Sequence, residues 1–98
     1  MRHIYVVESM WKLIDVASGE VDVKGAIEYV APTFEEAGKF CEIDTSNIDF
    51  TKKSIVKSGN YTIHVWPQKS EDHFSIRLYN NETGNADYCI TKVSVPWL

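Results

Sequence analysis

A chain of 98 residues with 44% hydrophobic content supports one core, so residues 1–98 are read as a single domain with no room for a second. Its net charge of −4, without clustered Lys and Arg, disfavours sequence-independent binding of duplex nucleic acid, which displaces counterions with such clusters. No apolar run approaches the roughly 20 residues a membrane span needs, and two cysteines are too few for a disulfide-stapled secreted scaffold.

The first predicted strand runs from His3 to about Ile14. It carries Ile4, Val6 and Met10 at one parity and Tyr5, Val7, Trp11 and Leu13 at the other, the pattern of a central strand covered on both faces. Glu8, Lys12 and Asp15 interrupt any signal-peptide core, so the expected setting is the cytoplasm. Ala17–Ser18–Gly19–Glu20 supplies turn residues, and Val21–Ala31 returns as a hairpin partner with period two, Val21, Val23, Ile27, Tyr29 and Ala31 against Asp22, Lys24 and Glu28.

The pattern then changes. Thr33 is placed to cap a helix and Glu36, three residues on, to close a capping box. Phe34, Ala37, Phe40 and Cys41 form its apolar stripe, with Glu35, Glu36, Lys39 and Glu42 outside. Gly38 weakens the helix by up to about 1 kcal/mol relative to Ala, which suggests a close approach to the sheet. Asp44–Asn47 reads as the helix stop, and Ile48 and Phe50 as anchors of the connection. Strands follow at Ser54–Lys57, Tyr61–Trp66, His73–Tyr79 and Ala86–Val95, separated by turns at Ser58–Asn60, Pro67–Asp72 and Asn80–Asn85. The expected fold is α+β: one helix on an antiparallel sheet of five to six strands, in the order β-β-α-β-β-β-β.

Period two gives the later strands two faces. Tyr61, Ile63 and Val65 belong with Phe74, Ile76 and Leu78 in the core, which sets Thr62, His64 and Trp66 beside His73, Ser75, Arg77 and Tyr79 on the opposite face. Aromatic and Arg side chains of this kind are enriched at recognition surfaces. The competing reading buries that face beneath a second layer, either the segment 44–53 or a partner subunit. In the last strand, Tyr88 with Ile90 competes with Cys89, Val93 and Val95 for the inward face, and a bulge would reconcile them.

No cofactor or metal motif is present. His64 and His73 lack a third ligand at zinc spacing. Cys41 and Cys89 read as small buried thiols. Ser54, Ser58 and Ser75 have no nucleophile signature, and a His64–Ser75 dyad lacks an orienting acid and an oxyanion site. The five glycines are scattered singly, which excludes a phosphate-cradling loop. The expectation is a protein that is not an enzyme.

Residues 1–49 hold ten acidic and four basic side chains, and residues 50–98 four acidic and six basic. The pattern Ile4–Tyr5–Val6–Val7, a hairpin, then Thr33–Phe34–Glu35–Glu36–Ala37 resembles the opening of small accessory proteins of phages and mobile elements, anti-CRISPR inhibitors among them. The resemblance implies a binding module that blocks a bacterial defence nuclease complex by surface contact or charge mimicry. Its protein partner would present a basic surface to Glu35, Glu36, Glu42, Asp44 and Asp49, or meet the face of His64, Trp66, His73, Arg77 and Tyr79. Two alternatives stand beside it. One is a single-stranded nucleic-acid binder that stacks bases on Trp66 and Tyr79, with Arg77, Lys57 and Lys92 near phosphates. The other is a homodimeric structural protein pairing through its last strand.

Overall fold

A computed structural model describes residues 2–15, 19–49, 51–67 and 74–96. The elements are β1 (Arg2–Asp15), β2 (Gly19–Ala31), α1 (Phe34–Phe40), β3 (Ser54–Ser58), β4 (Tyr61–Pro67), β5 (Phe74–Asn80) and β6 (Ala86–Val95). All strands join one six-stranded antiparallel sheet in the order β2-β1-β6-β5-β4-β3, with the helix on one face. This is the expected α+β fold and element order.

The apolar residues at both parities of β1 fit its place between β2 and β6. On the helix side, Val7, Ala31, Ile63, Val65, Ile76, Leu78 and Ile90 pack beneath Ala37, Cys41 and Ile43, with Tyr5, Phe34, Tyr61 and Tyr88 around them. The alternation in β4 and β5 sorts as expected: Ile63, Val65, Ile76 and Leu78 are buried. Their registers pair Ile63 with Leu78 and Val65 with Ile76.

In β6 Tyr88 and Ile90 take the inward face, and the bulge lies upstream of both competing sets rather than between them. An extra residue, Asp87, shifts the register between the pairs Leu78–Tyr88 and Tyr79–Ala86. Tyr88 and Ile90 then face the helix, while Cys89 and Ala86 join Met10 and Tyr79 in a smaller cluster on the other face. From Tyr88 to Lys92 β6 is paired on both sides, by β1 and by β5, so that stretch offers no edge for dimerisation through the last strand.

Thr33 caps α1 as predicted, its Oγ1 accepting from the Glu36 N–H at 3.2 Å. The helix stops sooner than the Asp44–Asn47 signal implies. Glu42 takes the left-handed conformation (φ 59), Ile43 N–H donates to Gly38 C=O at 3.0 Å, and Glu42 N–H donates to Lys39 C=O at 3.1 Å. These bonds form a Schellman motif, in which the left-handed position usually belongs to glycine. Glu42→Gly is therefore expected to raise stability by about 1 kcal/mol, the cost of a left-handed L residue, and the melting temperature by roughly 4–8 °C. Thermal melting checks it; a lower melting temperature contradicts it. Gly38 admits a loop rather than the sheet: a Cβ there would collide with Thr45 Cγ2 and touch Ile43.

That loop covers the helix side of the β3–β4 hairpin. Asp44 N–H donates to Ser58 Oγ at 2.7 Å, and Ile48 packs on the main core. The turn itself has Gly59 at φ 57 followed by Asn60 at negative φ, the type II′ arrangement suited to a two-residue hairpin. Gly59 is doubly required, since a Cβ would sit 2.9 Å from the Glu42 carbonyl oxygen.

Candidate binding face

The sheet face away from α1 carries the aromatic and cationic residues singled out from sequence. Register places His64 opposite Arg77, Thr62 opposite Tyr79 and Trp66 opposite Ser75, all on strands whose alternate residues are buried under the helix. Of the segment 44–53 read as a cover for this face, residues 44–48 lie on the helix side instead, and among its described residues Lys53 alone is seen to reach the face. Trp66 is 46% exposed. The Lys53 ammonium stands 4.2 Å from the centre of its ring, a cation–π contact. The His64 and Tyr79 rings lie 4.4 Å apart, and Tyr79 also borders the Met10–Ala86–Cys89 cluster. His73 lies outside the described residues.

Two further members of the face had no place in the sequence reading. Ile55, paired with His64, is 67% exposed, and Lys53 precedes it. Together with Ser54, His64, Val65 and Trp66 they line a hollow of ≈ 560 Å³. The signal was available: a two-residue turn after Ser58 puts Ile55 and Lys57 at the same parity as His64 and Thr62. Lys92, by contrast, pairs with Tyr5 and Phe74 at the parity of Ile90, so it belongs to the helix side and not with Arg77 and Lys57.

Charge is thereby segregated. Strands β3, β4 and β5 contain no carboxylate, whereas Lys53, Lys57 and Arg77 accompany the open face. Four of the acidic candidates, Glu35, Glu36, Glu42 and Asp44, lie in the helix layer, and Asp49 lies in the segment leading to β3. Glu35 and Glu36 occupy the exposed first turn of α1, and Glu42 closes it. Asp44 accepts from Ser46 N–H at 2.9 Å, and Asp49 from Thr51 N–H at 2.9 Å and from its hydroxyl at 2.6 Å. These bonds hold both carboxyls below the ordinary range: Asp44 through the Ser46 backbone and side chain, Asp49 mainly through the Thr51 hydroxyl, then its N–H. Asp49 aside, the two halves of the predicted site therefore sit on opposite sides of the sheet.

A second apolar outcrop surrounds the β2 edge. Phe40, read as part of the buried stripe, is instead 41% exposed. It stacks on Tyr29 at 5.0 Å with an interplanar angle of 2°, and meets the edge of Tyr88. It turns toward β2, onto Tyr29, while Ala37 and Cys41 on either side of it in sequence point into the core.

Groups with catalytic potential are placed in packing roles. Ser75 Oγ lies 3.1 Å from Cys89 Sγ while His64 lies on Tyr79, so the His64–Ser75 dyad is not assembled. Among the described residues no three His, Cys, Asp or Glu side chains converge as metal ligands, and no helix is long and apolar enough to cross a membrane. Both cysteines are free and buried.

Burial pushes the Cys41 thiol up to about 12. Burial, followed by the Asp87 carboxylate, pushes the Tyr61 phenol up to about 12. Both groups are neutral in the folded state and ionise more readily when unfolded. Their contribution is thus present below pH 9 and lost as pH rises through about 12. The melting temperature is expected to decline progressively over that window, as calorimetry at stepped pH would show; a rise there contradicts the assignment.

No protein family, no characterised protein and no solved structure matches the chain.

Proposed function

We propose that this chain is a non-enzymatic protein-binding module that docks through the open face of β3–β5. One observation carries the reading: an exposed Trp66 adjoins an exposed Ile55 across a hollow rimmed by Lys53, on strands without a carboxylate. Trp, Tyr and Arg dominate binding hot spots because they bury large areas with few rotors. This face favours an apolar contact ringed by acidic groups on the partner. The basic partner expected from sequence would meet the helix layer and the segment leading to β3, where Asp44 and Asp49 are committed to turns. In its specific form the module inhibits a bacterial defence nuclease complex by occlusion, which requires a docking face and no chemistry of its own.

The test compares wild-type bait with an Ile55→Ala, Trp66→Ala bait in capture from the native host's extract. The expected result is one protein partner retained by wild type and lost by the variant, with binding that weakens as salt rises. Capture indifferent to both substitutions defeats the reading. Quenching of tryptophan emission by oligothymidylate at low salt would transfer the face to single-stranded nucleic acid.

A further inference from the structure

The sheet has two edges, and they differ. The β2 edge is irregular: its pairing with β1 shifts register twice between Val7 and Met10, and its sequence carries Glu20, Asp22 and Glu28. Bulges and charges of this kind keep other strands away. The β3 edge pairs with β4 without a shift.

The direction of its peptide groups follows from the turn. A two-residue hairpin closes on a hydrogen-bonded pair, here Ser58 with Tyr61. Alternation then makes Val56–Ile63 and Ser54–Val65 bonded pairs, and Lys57–Thr62 and Ile55–His64 non-bonded ones. The N–H and C=O of Ile55 and Lys57 therefore point off the sheet. Around them, Lys52, Lys53 and Lys57 are exposed, and residues 51–58 include no Asp or Glu. Lysines on an edge repel a like strand, yet they match one bearing carboxylates.

We propose that the outer edge of β3 is a strand-addition site for an extended acidic segment of a protein partner. The peptide groups of Ile55 and Lys57 pair with that segment, and the Ile55–Trp66 hollow receives one of its apolar side chains. Backbone bonds supply affinity in this mode and alternate side chains supply specificity. The proposal rests on the protein-binding reading of the open face and names the shape and charge of what binds there.

The probe is a short dye-labelled peptide of alternating valine and glutamate, titrated by fluorescence anisotropy. Lys57→Pro and Ile55→Pro each remove an outward donor while sparing the β3–β4 bonds, a substitution edge strands tolerate. Each is expected to weaken binding about tenfold or more. Alternate N-methylation of the peptide should abolish binding to wild-type protein, a measurement that requires no variant to fold. A valine–lysine peptide should not bind. Equal binding of the methylated and unmethylated peptides overturns strand addition, as does failure of the valine–glutamate peptide to bind at millimolar concentration. If the proline variants still capture the host partner and only Trp66→Ala loses it, the face reading survives and the edge proposal falls. A concentration-dependent dimer of the wild type that Lys57→Pro dissolves would give the edge to a second copy's acidic β2 and overturn the proposal as stated.

Discussion

Leu78→Ala is expected to lower the unfolding free energy by about 2–5 kcal/mol, the range for truncating a fully buried aliphatic side chain and leaving a partly collapsed cavity. Leu78 is 0% exposed, pairs with Ile63 on one side and Tyr88 on the other, and lies in the main core under the helix. A domain of this size commands only about 5–15 kcal/mol in total, so a loss of roughly 10–30 °C in melting temperature follows. The control is Ile55→Ala. It removes a comparable aliphatic side chain from a strand of the same sheet, yet Ile55 is 67% exposed. Its effect should stay within about 0.5 kcal/mol. Urea unfolding of both variants, with unchanged denaturant slopes, checks the pair. Similar losses from the two would mean that the open face is covered as well, and a reversed order that the two faces have been interchanged.

The difference between those two residues was half legible in the sequence. Leu78 sits in an unbroken alternation, Phe74–Ile76–Leu78, and period two is enough to turn that set inward. Ile55 lies in a strand of five residues, too short for alternation to declare itself, and its face follows only once the Gly59–Asn60 turn fixes the register. The capped start of α1 was readable because Thr33 and Glu36 make the signal locally. Its end was not, because a glutamate in the left-handed position runs against intrinsic preference and is held there by the returning loop. A bulge in the last strand was expected, but its position at Asp87 was not legible, for a related reason. Nothing local marks it, and its effect is to set Ala86 on the face of Cys89, three residues on, where plain alternation would separate them. Strand order is wholly non-local: no property of β6 announces that it lies between β1 and β5. The acidic and basic halves of the chain were visible, but their sorting onto opposite faces depended on that order and on which side the segment 44–48 took. Lys92 shows the limit, since it shares the face of Ile90, and which face that is follows only from the pairing of β6 with β1 and β5.

Trp66→Ala is expected to reduce partner affinity about 30-fold or more while leaving the fold intact. The first figure is the cost of about 2 kcal/mol that defines a binding hot spot. The second follows from exposure: nearly half of the residue is in solvent, it belongs to neither core cluster, and the Lys53 ammonium lies over its ring. That contact is worth only about 0.5–1 kcal/mol where water has access. The melting temperature should therefore fall by a few degrees at most. Trp66→Phe retains a flat apolar ring for the partner and for Lys53, and should recover most of the binding. Lys53→Ala keeps the ring but removes a charge, so its effect should lie in the association rate and shrink at high salt. The opposite pattern, a large drop in melting temperature with affinity unchanged, would make Trp66 a packing residue. The exposed indole would then no longer mark a docking face.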